Sequence, residues 1–329
     1  MRAIVLLFVA VLGSGIGRTC CVAYGEEQVL LSGERAIIIW DAENGLEHFV
    51  RQASFTGEAK DFGFIVPAPS KPEVAEAEDK AFQLLEALVP REPSRSAKGV
   101  GSAADESIPP TAALIEQYTV GDYEVSILKA QNGEAMIDWL KANDYTNRPA
   151  MEPWLDYYAQ MGWYFAALKF IRQPESTKPE TQALRVSFKT NEPFYPYKMP
   201  GDTWPDGHFR PMSLYFVAAG VARASYRGTN TDWEADIRWS GALPRRAAKE
   251  LADAVDLKVT DIPAEATVTV FRNSTNAQGY DRDLKFDTYQ TLIPTWALGV
   301  ILVGAIAGFV YVFRTRKPAT APSDTPDQT

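Results

Sequence analysis

A long uncharged run near the carboxyl end constrains this chain more than any other feature. Residues 288–313 contain no charged side chain, and the apolar stretch within them is 292–313. A helix over that stretch is long enough to cross the roughly 30 Å hydrocarbon core of a bilayer. Three cations follow it at once, Arg314, Arg316 and Lys317. By the positive-inside rule, we therefore predict a single transmembrane helix at 292–313 and a disordered cytoplasmic tail at 314–329.

A second, shorter apolar run at the amino end predicts export. Arg2 precedes the uncharged residues 3–17, and a cation before a short hydrophobic stretch is typical of a secretory signal peptide. We predict a signal peptide at 1–19, with its end between residues 17 and 23. The remaining 20–291 would then be extracytoplasmic, in the orientation that the C-terminal cations also predict. The expected location is the cell membrane, crossed once.

The two cysteines, Cys20 and Cys21, are adjacent, so no disulfide can close a long loop within the chain. They could form a strained ring, pair with another chain, or be removed with the signal peptide. The stability of the folded part must therefore come from packing.

Composition predicts a folded ectodomain with particular partners excluded. The chain is 46% hydrophobic and 23% charged, which is typical of globular proteins. Its formal net charge of -9 argues against nucleic acid, and against anionic lipid or polymer, as the main partner.

The hydrophobic pattern favours an α+β fold with largely antiparallel sheets and a few packed helices. Asn44-Gly45 between two alternating segments predicts a hairpin at the start of the domain. Apolar residues at helical spacing predict a helix over 72–89. The segment 184–188 is expected to pair with a buried strand at 163–171. The further predicted strands are 61–66, 117–130 (two, paired), 212–222, 233–239, 267–271 and 284–286, and the further predicted helices are 133–143, 152–161 and 245–255.

A stretch poor in large apolar residues, 90–111, is a candidate boundary between two subdomains. It either separates two subdomains or is an insertion within a single domain.

Four residues form the candidate ligand surface: His48, Asp61, Trp204 and His208. His48 lies in an alternating segment, in which Glu47, Phe49 and Arg51 share one face and His48, Val50 and Gln52 the other. A hydrogen-bonded strand histidine is the commoner role for such a residue, and a ligand-binding or general-base role is the alternative. Trp204 and His208 lie in an aromatic, turn-rich segment that could form an exposed binding loop or anchor itself in the core.

No motif of a known catalytic or nucleotide-binding site is present. Two histidines without cysteine support do not predict a zinc centre. The sequence therefore names no catalytic residue, no metal ligand and no cofactor, and it leaves open whether the protein is an enzyme.

Several segments together resemble a family of exported bacterial proteins known as domain of unknown function 2330. They are Cys20-Cys21, Glu47-His48-Phe49, residues 61–69, residues 121–125, Asp138-Trp139-Leu140 with Tyr145, residues 162–165 with Lys169, and residues 192–196. The resemblance covers most of the predicted ectodomain. It implies an exported, often membrane-anchored bacterial protein, and it brings no established activity, cofactor or catalytic residue.

These features favour a membrane-anchored extracytoplasmic binding or interaction module with a protein or glycan partner. The alternative is an extracytoplasmic hydrolase acting on cell-wall or glycan polymer, which would need converging titratable groups in one concave site. The GxxxG spacing of Gly304 and Gly308 allows the membrane helix to form a weak homodimer, and a monomeric anchor is the alternative.

Overall fold

The computed structural model describes residues 21–23, 30–56, 61–90, 112–145, 147–171, 182–201, 212–273 and 281–289. Within these ranges it has three sheets and four α-helices, and all strand pairs but one are antiparallel. The α+β prediction with largely antiparallel sheets is confirmed. No helix among these residues is long and apolar enough to span a membrane. The stretches 1–19 and 292–313 lie outside the described residues.

The strands are β1 Cys21–Ala23, β2 Leu30–Asp41, β3 Leu46–Thr56, β4 Asp61–Ala68, β5 Glu73–Ala77, β6 Ala113–Val120, β7 Tyr123–Lys129, β8 Tyr164–Ile171, β9 Ala183–Lys189, β10 Phe194–Tyr195, β11 Met212–Ala218, β12 Val221–Tyr226, β13 Asp236–Ala242, β14 Thr267–Asn273 and β15 Leu284–Tyr289. The helices are α1 Lys80–Glu86, α2 Gly133–Ala142, α3 Met151–Gln160 and α4 Arg245–Ala254, and a 3₁₀ turn covers Val259–Asp261.

The largest sheet has seven strands in the order β13-β14-β11-β2-β3-β9-β5. The β2–β3 hairpin predicted from Asn44-Gly45 lies at its centre, with Ile39 opposite His48. The parallel pair joins β2 to β11. Strands from both sides of the 91–111 segment share this sheet.

Both faces of the seven-stranded sheet are covered. Val50 belongs to a core cluster that also contains apolar residues of α1 and α4. Phe49, on the opposite face, belongs to a larger cluster with the five-stranded sheet β1-β4-β8-β7-β6 and with α2 and α3. His48 therefore points to the side of α1 and α4.

A three-stranded sheet, β10-β15-β12, completes the larger core cluster. Phe286 of β15 stacks on Phe216 of β11 with ring centroids 4.6 Å apart. The predicted single strand at 212–222 is wrong, because the chain bends at Gly220, which has φ +113, and continues as β12 in this small sheet.

The helix predicted over 72–89 is also wrong in its first half. Residues 73–77 form β5, an edge strand on β9, and the helix is confined to α1. The backbone N–H of Val74 donates to the hydroxyl of Tyr118 at 3.1 Å, which satisfies a group on the edge of β5. Apolar residues at 74 and 77 fit a helix in isolation, but the ladder with β9 decides the conformation.

The predicted pairing of 184–188 with 163–171 is also wrong. β9 lies between β3 and β5 in the seven-stranded sheet, whereas β8 lies between β4 and β7 in the five-stranded sheet. The chain therefore changes sheets between β8 and β9. This exchange places β9 beside His48.

Candidate functional site

An open cleft of about 960 Å³ lies where β3, β9 and β5 run side by side. His48 of β3 is in register with Ser187 of β9, and Ser187 is in register with Glu73 of β5. Residues in register on neighbouring strands project from the same face of a sheet, so the three side chains form one row. The segment after α4 contributes Asp256, Lys258 and Asp261 to the opposite wall.

Ser187 joins two basic side chains on the floor of this cleft. Its Oγ lies 2.8 Å from Nδ1 of His48, and Nη1 of Arg185 donates to the same oxygen at 3.0 Å. Because a guanidinium can only donate, the serine oxygen is its acceptor, and the serine hydroxyl proton is free to point at Nδ1. The contact between Nδ1 and Oγ is compatible with either tautomer of a neutral His48, because the serine oxygen can also accept a second hydrogen bond.

Arg185 is buried, but its outward partners are exposed. Its Nη2 lies 3.3 Å from Oε1 of Glu73 and 3.4 Å from Oδ2 of Asp256. The exposed fraction is 5% for the Arg185 side chain, 72% for Glu73 and 78% for Asp256. Both contacts are longer than the roughly 2.7–2.9 Å of a strong charge-assisted hydrogen bond. The guanidinium is thus fixed on the sheet, while its carboxylate partners lie in solvent.

Two side-chain nitrogens at the cleft floor lack partners among the described residues. These atoms are Nε of Arg185 and Nε2 of His48, and both are buried. Burial, and after it the positive charge of Arg185, lower the pKa of His48 to about 4, although Asp261 and Asp41 act in the opposite direction. His48 is therefore neutral at pH 7.

The rim of the cleft carries both signs of charge. Lys71, Lys189 and Lys258 line it together with Glu116 and Asp261. Lys71 pairs with Glu116, and the backbone N–H of Lys258 donates to Oδ2 of Asp261 at 2.9 Å. The lining is thus balanced in charge, although the whole chain is acidic.

Chemically, the row can act in two ways. It can hold an acceptor group of a ligand, or the Ser187 hydroxyl can act as a nucleophile with His48 as its base. β9 is paired on both sides, so its backbone N–H groups are committed to ladders and do not form an oxyanion hole. In the part of the chain that the structure describes, no group of three or more His, Cys, Asp or Glu side chains is placed to hold a metal ion.

Of the residues that the sequence singled out, only His48 is placed in this cleft. Asp61 begins β4 and pairs with Ile171, so it belongs to the five-stranded sheet and not to the sheet of His48. Trp204, His208, Gly304 and Gly308 lie outside the described residues.

Sequence reasoning missed Arg185 and Ser187. The alternation of Leu184, Arg185, Val186, Ser187 and Phe188 does place the two polar residues on one face of a strand. A buried polar row of this kind is a signal for a functional face. Its position beside His48 depends on the strand pairing, which the local pattern does not contain.

Two further carboxyl groups are buried away from the cleft. Oδ1 of Asp283 accepts from the hydroxyl of Tyr158 at 2.7 Å and from the backbone N–H of Lys198 at 3.2 Å, and burial raises the pKa of Asp283 to about 6. Oε2 of Glu47 accepts from the backbone N–H of Phe194 at 2.9 Å, and burial raises the pKa of Glu47 well above its ordinary value. Asp283 thus links α3 to the segment after β10, and Glu47 links β3 to β10.

Comparison with known proteins decides the family. Residues 16–272 match the model of DUF2330, described as an uncharacterized protein conserved in bacteria. The chain belongs to the DUF2330 family. The match confirms the resemblance drawn from the sequence and includes β3, β5 and β9, which form the cleft of this DUF2330 protein. No curated protein matches the chain.

Solved structures show only a distant likeness. A crystal structure of baculovirus P35 is 12% identical, with a TM-score of 0.34, and covers 80% of this chain and 92% of its own. A caspase-8/P35 complex gives 12% identity and a TM-score of 0.37, covering 79% and 92%. At these TM-scores the likeness carries no argument about fold or function.

Proposed function

We propose that this DUF2330 protein is a membrane-anchored extracytoplasmic binding module that holds its ligand in the cleft floored by Arg185. The observation that carries this proposal is a buried guanidinium whose outward partners are exposed carboxylates. Burying an arginine is costly unless its donors are satisfied. A ligand that supplies acceptors to this row recovers that cost on binding.

The size of the cleft fits a small ligand or one end of a larger one. Its volume of about 960 Å³ is at the upper end of the roughly 300–1,000 Å³ of small-molecule sites. A protein or glycan partner with a protruding group fits these dimensions. The net charge of -9 supports a partner other than nucleic acid.

The two apolar runs support a proposal about location. We propose that residues 1–19 direct export and that residues 292–313 cross the membrane, with 20–291 outside and 314–329 in the cytoplasm. Protease added to spheroplasts should then digest the part before residue 292 and spare a tag placed after residue 329. Protection of the whole chain would contradict this topology.

The experiment that tests the binding function places a photo-cross-linking amino acid at Lys258 in cells that express the full chain. Lys258 is exposed on the wall of the cleft, and Lys249, exposed on α4, serves as the matched control position. We expect a cross-linked adduct from position 258 that is absent from position 249. The same adducts from both positions, or none from either, would contradict a ligand in this cleft.

A second candidate, an extracytoplasmic hydrolase of cell-wall or glycan polymer, is favoured by one observation. The 2.8 Å contact between Ser187 and His48 has the distance of a nucleophile and its base. A base with a pKa of about 4 is weak at neutral pH, which argues against this candidate. A fluorophosphonate probe that labelled Ser187 in the full chain, and failed to label an S187A variant, would favour the hydrolase over the binding module.

A further inference from the structure

We infer that the cleft recognises a carboxylate group of its ligand, which replaces the side chains of Glu73 and Asp256 on Nη2 of Arg185. The inference rests on the proposed binding function and names the chemistry that the ligand must carry. The groups that contact Nη2 of Arg185 on the solvent side of the guanidinium indicate a carboxylate.

Two of the protein's own carboxylates occupy that place. Glu73 reaches Nη2 from the edge strand β5, and Asp256 reaches it from the segment after α4. They come from opposite walls of the cleft, and neither makes a short contact. The position therefore accepts a carboxylate, and the groups now there are held loosely because exposed ion pairs contribute little.

The floor is organised for such a group. Nη1 of Arg185 is bound to Oγ of Ser187, which fixes the plane of the guanidinium and leaves Nη2 facing the cleft. The planar fork of an arginine matches the two oxygens of a carboxylate. The buried Nε of the same arginine has no partner among the described residues.

The charge balance favours an anion over a cation. When the side chains of Glu73 and Asp256 turn to solvent, Arg185 is the charge left on the floor beside a neutral His48. A cationic ligand would meet that buried positive charge at close range, where low dielectric strengthens the repulsion. A carboxylate accepts from Nη2 of Arg185 in the place of those two side chains.

The test is a titration of the full chain in detergent at pH 7, followed by the imidazole NMR signal of His48. The chain has two histidines, so an H208N variant leaves one signal to assign. Sodium acetate is the probe, sodium chloride controls for ionic strength, and methylammonium chloride is the cationic counterpart. We expect acetate to shift the His48 signal saturably and the other two salts to leave it in place.

Variants of exposed residues keep the test independent of folding. The E73Q/D256N double variant removes the competing carboxylates. We expect it to bind acetate at least about fivefold more tightly, which corresponds to about 1 kcal/mol of binding free energy. The E134Q/D253N double variant, exposed and outside this cleft, should match the wild type. R185Q should lose the saturable shift.

Glucuronate and N-acetylalanine carry the same group on a sugar and on a peptide end. Each should shift the signal as acetate does, and the tighter of the two indicates the source of the ligand's carboxylate. A shift with methylammonium alone, or weaker acetate binding by E73Q/D256N, would overturn the carboxylate inference. If no carboxylate shifts the signal while position 258 still cross-links a ligand, the inference fails and the binding function stands.

Discussion

Nδ1 of His48 lies 2.8 Å from Oγ of Ser187, across two neighbouring strands of the seven-stranded sheet. Because Arg185 donates to the same oxygen, the serine links a neutral imidazole to a buried guanidinium. His48 and Ser187 are 139 positions apart in the sequence. The fold, and not a local motif, builds this row.

The titration of His48 gives the first prediction. Burial and the charge of Arg185 hold its pKa at about 4, below the ordinary 6.5, so the imidazole should stay neutral down to about pH 5. NMR of the imidazole signals against pH measures this directly. An R185Q variant should titrate at higher pH, although burial keeps the pKa below the ordinary value. A wild-type pKa near 6.5 would show that His48 is solvated.

The buried ion pair on the opposite face of β3 gives the second prediction. Nε of Arg51 donates to Oε1 of Glu34 at 2.6 Å, and their side chains are 8% and 1% exposed. An R51A variant removes the Arg51 cation from the buried carboxylate of Glu34, so it should lose about 3–5 kcal/mol in the free energy of unfolding. Urea unfolding of the full chain measures the loss.

Arg246 provides the matched control for Arg51. It pairs with Glu250 on the surface of α4, where its side chain is 92% exposed. R246A should change the free energy of unfolding by less than about 1 kcal/mol. Equal losses for R51A and R246A would mean that the buried pair adds nothing to stability.

The pH dependence of stability gives the third prediction, through Asp283. Its pKa is about 6 in the folded state and 3.8 in its ordinary environment, so between these values the folded state holds a proton that the unfolded state has released. The free energy of unfolding should therefore fall as pH rises from about 4 through 6, by an amount on the order of 3 kcal/mol. A D283N variant keeps an acceptor for Tyr158 and carries no charge, so this fall should disappear.

The control for Asp283 is Asp236, an exposed aspartate on β13. Urea unfolding of the wild type, D283N and D236N from pH 4 to pH 8 isolates the contribution, because His48 and Glu47 act equally in all three proteins. D236N should follow the wild type. Parallel profiles for the wild type and D283N would show that the buried carboxyl does not titrate in this window.

The close approach of α2 and α3 gives the fourth prediction. A Cβ atom on Gly133 would lie 2.3 Å from the backbone oxygen of Glu152 and 2.9 Å from the backbone nitrogen of Asp156. G133A should therefore cost about 1–3 kcal/mol, because backbone atoms must move. Nothing lies within 4 Å of a Cβ on Gly201, so G201A should leave the melting temperature unchanged. A G133A protein as stable as G201A would contradict the packing.

Local patterns predicted the elements well where one signal dominates. The Asn44-Gly45 hairpin, the two faces of β3, and the helices near 133–143, 152–161 and 245–255 are all confirmed. The hairpin has a turn dipeptide that favours one geometry. The strand and the helices have apolar residues at a spacing that places them on one face of the element. The error at 73–77 arose because a short apolar spacing fits both helix and strand, and the contact with β9 decides.

The site could be predicted only in part, for a physical reason. His48 was recognisable as a polar residue in an apolar strand, but Arg185 and Ser187 become its neighbours only because β9 joins β3. A sheet register over this separation is set by the whole core. The residue types of Asp61 and His48 suit one ligand surface, but the strand pairing places the two residues in different sheets.

Native mass spectrometry of the full chain, extracted in detergent from the membranes of expressing cells, tests the central claim most directly. The wild-type protein should carry a bound ligand mass that R185Q lacks. Circular dichroism should show that the wild type and R185Q are both folded. R246Q, which alters an exposed arginine on α4, should retain that mass. A mass that persists in R185Q, or its absence from the wild type, would contradict a ligand held by Arg185.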